Sequence, residues 1–242
     1  MTIAKVCHRI GHISELGARY PAFMQFEHAS VRGPGLRWVN SDTGAASNHA
    51  QVAFFGKSGY GKSSTVNALF GGDILQTSAV TACTRQCDTL DFELAPDNYL
   101  ALADFPGIGE SGYQDQSYLR MYAQFFLAST VVVYLLRADL RDFTIDLNAY
   151  KTVFPTSRER SKVLFALNCC DKIEPTSRSA ASAPSPEQLH NIKLKLATVR
   201  DILKPAHAIV PYSAATGWNL DLLAQQIAHF VARSGHVHRP AP

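Results

Sequence analysis

The stretch Gly56-Lys57-Ser58-Gly59-Tyr60-Gly61-Lys62-Ser63 follows the apolar run Val52-Ala53-Phe54-Phe55, and its reading decides the fold. The spacing is G-x-x-x-x-G-K-[ST], the phosphate-binding P-loop signature. Glycines at 56, 59 and 61 let the backbone take positive φ and approach a ligand with no Cβ in between. Successive N–H groups of such a loop form an anion-binding concavity, and the helix that follows adds the positive end of its dipole. Lys62 is placed to reach the β- and γ-phosphates, and the Ser63 hydroxyl to complete a Mg²⁺ ligand set. Downstream, Ser64-Thr65-Val66-Asn67-Ala68-Leu69-Phe70 predicts a short helix closed by Gly71-Gly72.

A length of 242 residues favours one domain with extensions. The boundaries that follow are an N-terminal extension over 1–46, a nucleotide-binding domain over 47–233 and a tail over 234–242. With 46% hydrophobic and 18% charged residues the composition is that of a globular protein with a large core. The net charge of +3 neither demands nor excludes an anionic partner, and DNA sequence recognition is not expected. No window reaches the roughly 18 apolar residues of a membrane span, and the N-terminus lacks the apolar core of a signal peptide. Five cysteines without framework spacing point to the reducing cytoplasm.

Upstream of the P-loop, Ile3, Val6, Ile10 and Ile13 lie at helical spacing and predict a short amphipathic helix, with a linker from Ser30 to Ser47. Downstream, residues 73–87 read as a loop. Leu90, Phe92 and Leu94 alternate with Asp91 and Glu93 as a half-buried strand, and a turn at Ala95–Asn98 leads into a second strand ending at Asp104. Residues 115–128 predict a helix with Tyr118, Tyr122 and Phe125 on a core-facing stripe. The runs 130–136 and 162–167 read as strands buried on both faces, and 206–210 as the last strand. Helices are expected after each, the later ones marked by Leu189, Ile192, Leu196, Val199 and Leu203 and by Leu220, Leu223, Ile227 and Phe230. Strands alternating with helices argue for an α/β fold with a mostly parallel sheet and helices on both faces, its ligand sites at the carboxyl ends of the strands.

Two loops at such ends carry chemistry. Asp104-x-x-Gly107 supplies a carboxylate for Mg²⁺ and a glycine N–H for the γ-phosphate. Asn168-x-x-Asp171 offers a carboxylate that accepts two hydrogen bonds from the ring N–H and exocyclic amine of guanine. Adenine would leave that carboxylate unpaired, and sites of this kind reject the wrong partner strongly.

The set G-K-S-G-Y-G-K-S, D-F-P-G, N-C-C-D and S-A-A, in this order, resembles the G1, G3, G4 and G5 boxes of a translation-factor-class small GTPase domain. The likeness covers roughly residues 50–232 and is to the Era-like bacterial GTPases, including the 50S-ribosome-binding group, and to immunity-related GTPases. It implies a three-layer P-loop NTPase (Ras-like) fold of six strands, one antiparallel, with five main helices. It implies that 73–87 is switch I, with Thr84 as Mg²⁺ and γ-phosphate ligand and Thr81 as the alternative, and that 104 to about 116 is switch II. Ser213 and Ala214 match the box whose backbone touches the guanine carbonyl.

The expected nucleotide-binding set is therefore Lys57, Ser58, Gly59, Tyr60, Gly61, Lys62, Ser63, Ser64, Asn168, Cys169, Asp171, Ser213 and Ala214. Ser63, Thr84 and Asp104 hold the metal, and Lys62, Thr84 and Gly107 serve catalysis. Three positions depart from patterns found in such GTPases. Cys169 replaces the lysine of N-K-x-D, whose stem covers one face of the base, which bears on affinity more than on base choice. Ile108 stands where Ras-type proteins carry the water-orienting glutamine. Gly59 replaces the asparagine of K⁺-dependent members, so K⁺ activation is not expected.

These observations support a Mg²⁺-dependent GTPase that binds GTP and GDP and acts as a switch with slow intrinsic turnover. The alternatives are a nucleotide-binding adaptor with negligible hydrolysis and a P-loop ATPase or kinase. Expected partners beyond the nucleotide are ribosome or RNA, a membrane surface, or a second copy through the switch face. Deleting residues 1–46 is expected to abolish any membrane or partner association and to leave nucleotide binding intact.

Overall fold

Ten-residue strand β4 (Ala46–Phe55) carries the chain into the P-loop, and its seven C-terminal residues are buried. The computed structural model describes residues 5–33, 37–39, 45–76, 87–108, 122–123, 125–176 and 183–239. Around β4 lie β5 (Cys87–Ala95), β6 (Asn98–Asp104), β7 (Val131–Arg137), β8 (Val163–Asn168) and β9 (Val210–Pro211). With β1 (Lys5–His12) the sheet order is β1-β5-β6-β4-β7-β8-β9, and β3 (Arg37–Val39) pairs on the N-terminal part of β4, making eight strands. β4, β6, β7, β8 and β9 run parallel; β5 is antiparallel to β6, as the expected hairpin requires.

Helices cover both faces: α1 (Ile13–Arg19), α2 (Lys62–Phe70), α3 (Thr144–Val153), the short α4 (Ser157–Arg160), α5 (Pro186–Leu203) and α6 (Leu220–Arg233). Alternation along the strands splits the core in two. Val52, Phe54, Leu102, Val133 and Leu135 pack with residues of α1, α2 and α6, while Ala53, Phe55, Phe105, Tyr134 and Leu136 pack with α3 and α5. Of the predicted stripe, Tyr122 lies in the second core and Phe125 is half-buried against it, while Phe126, outside the stripe, is buried there, and the Phe55 ring meets Tyr122 and Phe126 edge to face. Tyr118 lies outside the described residues.

Several expectations are corrected. Residues 5–12 form a strand, not a helix. β1 pairs in parallel with β5 from Lys5↔Cys87 to His12↔Glu93, so helical spacing of β-branched residues here marks an edge strand. The sheet accordingly exceeds the six strands expected. The 30–47 segment is not only linker: it holds β2 (Ser30–Val31) and β3. The tail likewise contributes β10 (Val237–His238), which pairs antiparallel with β2. Finally, the last sheet strand is the two-residue β9 rather than 206–210, and Leu189 is 37% exposed on α5 while Ile192, Val199 and Leu203 are buried. Among the described residues no helix is long and apolar enough to cross a membrane.

Candidate functional site

The P-loop turns between Phe55 and α2 at the carboxyl end of β4. Gly61 has φ 84°, and a Cβ there would lie 2.6 Å from the Asn168 side-chain amide, so only glycine fits. Lys62, 6% exposed, folds back over the loop with its ammonium on the carbonyls of Gly56 (3.3 Å) and Lys57 (3.2 Å). Its charge therefore sits inside the concavity formed by the loop. Helix α2 begins there with no acidic side chain in its first turn, which keeps its dipole available to an anion. At its far end Gly71 closes the helix in the left-handed conformation, as expected, donating to Asn67 O at 2.6 Å. Asn67 then fixes the departing chain through paired bonds to Leu75 (2.8 and 2.9 Å).

Asp104, at the end of β6, is 1% exposed and accepts from the Ser63 hydroxyl at 2.5 Å. This oxygen-only pair beside the phosphate loop suits a hard divalent cation. Past Asp104 the chain closes onto the P-loop. Ser58 N–H donates to Ile108 O (3.1 Å), Ile108 N–H to Gly56 O (3.4 Å), and Tyr122 OH to Pro106 O (3.1 Å). Gly107 lies against Ser58 so closely that a Cβ would meet its backbone nitrogen at 2.6 Å. Ile108 is 2% exposed and belongs to the core.

On the opposite side Asn168 links three loops. Its amide donates to Tyr60 O (3.0 Å) and its carbonyl accepts from Ala214 N–H (3.0 Å). Asp171 lies in the 3₁₀ turn Cys170–Lys172, its carboxylate oriented by the Ser213 hydroxyl at 2.6 Å. Gln188 of α5 clamps that turn from behind by donating to the carbonyls of Asp171 (3.2 Å) and Ile173 (2.8 Å). Cys169 adopts the left-handed conformation at φ 62°. Burial pushes both thiols up, that of Cys170 to about 12, so neither is a ready nucleophile. An open cavity of about 340 Å³ lies between Ser64 and Ala68 of α2 and Ala214.

The structure thus gathers the P-loop, Asp104, Gly107, Asn168, Asp171, Ser213 and Ala214 at one end of the sheet. Thr84, Thr81 and the switch II residues past Ile108 lie outside the described residues. Two groups escaped the sequence reading. Asp146 of α3 accepts from the Tyr60 hydroxyl at 3.0 Å. Arg137, the last residue of β7, donates to Gly59 O at 3.2 Å. A charged residue closing a strand buried on both faces was the available signal, since that end of the sheet is where ligands bind.

Residues 51–169 match the family model described as 50S ribosome-binding GTPase. The chain is 37% identical over 183 residues to the Escherichia coli (strain K12) protein YkfA, spanning 75% of this chain and 62% of that protein's length. It is 28% identical over 191 residues to the probable GTP-binding protein EngB of Gluconobacter oxydans (strain 621H), covering 74% of this chain and 75% of EngB. Among solved structures, Era in complex with MgGDPNP and a 16S ribosomal RNA segment superposes with a TM-score of 0.60 at 22% identity, over 81% of this chain and 59% of that one, which is a likeness of fold. Residues 51–169 are therefore similar to a 50S ribosome-binding GTPase domain, set in a chain of P-loop GTPase fold.

Proposed function

We propose that the protein binds GTP and GDP with Mg²⁺ and hydrolyses GTP slowly, as a molecular switch. The observation that carries this reading is Asn168, which ties the phosphate loop at Tyr60 to the base-reading side at Ala214. Phosphate and base are then recognised by one rigid unit. Asp171, held by Ser213 and Gln188, is the guanine reader and disfavours an ATPase or kinase. Lys62 and the loop N–H groups stabilise charge developing on the phosphates. Ser63 and Asp104 hold the cation, with Thr84 as the further ligand from switch I. Bound Mg²⁺ supplies charge neutralisation at the phosphate oxygens.

Slow turnover follows from Ile108, whose buried apolar side chain cannot orient water. The same observation favours a second reading, an adaptor that holds nucleotide without turnover. Single-turnover hydrolysis of GTP with Mg²⁺ separates them: slow release of phosphate, lost in Lys62→Ala, supports the enzyme, and retained GTP without phosphate release supports the adaptor. Ribosome or RNA is the partner we favour, on the family's description and on Era's complex with ribosomal RNA.

A further inference from the structure

Cys169 leaves the base pocket without the cation that N-K-x-D supplies, and the structure puts another cation next to that gap. Arg137 ends β7 directly opposite Asn168 in register, and Ala138 N–H donates to Asn168 O at 2.9 Å, so Arg137 sits one residue across from Cys169. Its guanidinium is gripped in a fork by Asp139, Nε to Oδ1 at 2.9 Å and Nη2 to Oδ2 at 2.7 Å. The remaining nitrogen, Nη1, donates to Gly59 O at the tip of the phosphate loop. Arg137 and Lys172 both bear electrostatically on the Cys169 thiol, so the base side of the site carries positive charge without the missing lysine. The Arg137 side chain keeps 28% of its surface exposed to solvent, so it is not sealed within the protein. A planar guanidinium fixed at both ends packs well against the face of a purine.

We propose that Arg137 replaces the missing lysine: it anchors the tip of the phosphate loop through Gly59 and packs against the purine–ribose part of a guanine nucleotide, with Asp139 as its positioning residue. The proposal rests on the guanine-nucleotide reading above. Removing a charge-assisted hydrogen bond and its packing weakens ligand binding by about tenfold or more.

The test is GDP affinity, measured by titration, for the full chain and for Arg137→Ala, Cys169→Lys and the double variant. Arg137→Ala is expected to bind GDP about tenfold more weakly, and Cys169→Lys in that background to recover most of the loss. In the otherwise unaltered chain Cys169→Lys is expected to add little, because Arg137 already fills the role. That arm holds even should Arg137→Ala fold poorly. GDP affinity unchanged in Arg137→Ala, no rescue by Cys169→Lys, or a gain of more than about tenfold from Cys169→Lys alone overturns the proposal while leaving the guanine reading intact. Absence of GDP binding by the unaltered chain overturns both.

Discussion

Gly61 shows how tightly single residues are constrained at this site. Its φ of 84° and the 2.6 Å approach of the Asn168 amide penalise any side chain twice, by backbone strain and by displacing the residue that joins phosphate and base loops. Gly61→Ala is expected to lower stability by about 1–2 kcal/mol and to weaken nucleotide binding at least about tenfold, read by thermal unfolding and by GDP titration. Asp146 makes a pH prediction. Burial raises its carboxyl from the ordinary 3.8 to about 6, only partly offset by the Tyr60 hydroxyl and Lys57. The folded state therefore holds the proton more tightly than the unfolded one. That contribution is complete below about pH 4 and is lost as pH rises through about 6. Asp146→Asn keeps the acceptor for Tyr60 and removes the titration. Relative to the unaltered chain it is expected to gain up to about 3 kcal/mol between pH 4 and pH 7, and a pH-independent difference would contradict the assignment. The P-loop itself was legible because every requirement in it is local: glycine where φ is positive, lysine and serine at the helix start. Asp146 and Arg137 were not, because their contacts with Tyr60 and Gly59 span 86 and 78 residues.

Among the elements, β1 carries the clearest lesson. Its apolar spacing fits a helix as well as an edge strand, and what decides is its parallel pairing with β5, about eighty residues away and invisible to a local pattern. The two-residue partnership of β2 and β10 is beyond any periodicity for the same reason. Behind β1, α1 and the 3₁₀ segment Pro21–Phe26 bury Ile13, Leu16, Phe23 and Phe26 in the core shared with α2 and α6. The N-terminal region is thus part of the fold that supports the site. Deleting residues 1–46 removes those side chains and bares the edge of β5. The expected outcome is a protein that unfolds at least about 10 °C lower or aggregates, with nucleotide binding lost alongside, in place of the intact binding that the sequence suggests. Thermal unfolding of the truncated chain checks this, and an unchanged midpoint would contradict it. Long strands buried on both faces, β4, β7 and β8, were legible because continuous apolar runs between turn signals leave little alternative.

For the whole molecule, strand order and site follow one rule. Parallel strands β6, β4, β7 and β8 all point their carboxyl ends the same way, so Asp104, the P-loop, Arg137 and Asn168 converge although they are distant in sequence. Order of motifs along the chain was enough to foresee that convergence; the count of strands was not, since β1 and β3 join the sheet by pairing rather than by pattern. The central claim is that this convergence makes a guanine-specific site despite Cys169. Its most direct test is titration of GDP, GTP and ATP with Mg²⁺ into nucleotide-free protein, alongside Asp171→Ala. Tight binding of GDP and GTP is expected, with at least about a hundredfold preference over ATP and loss of that preference in Asp171→Ala. Equal affinity for ATP, or a preference that survives Asp171→Ala, would contradict it.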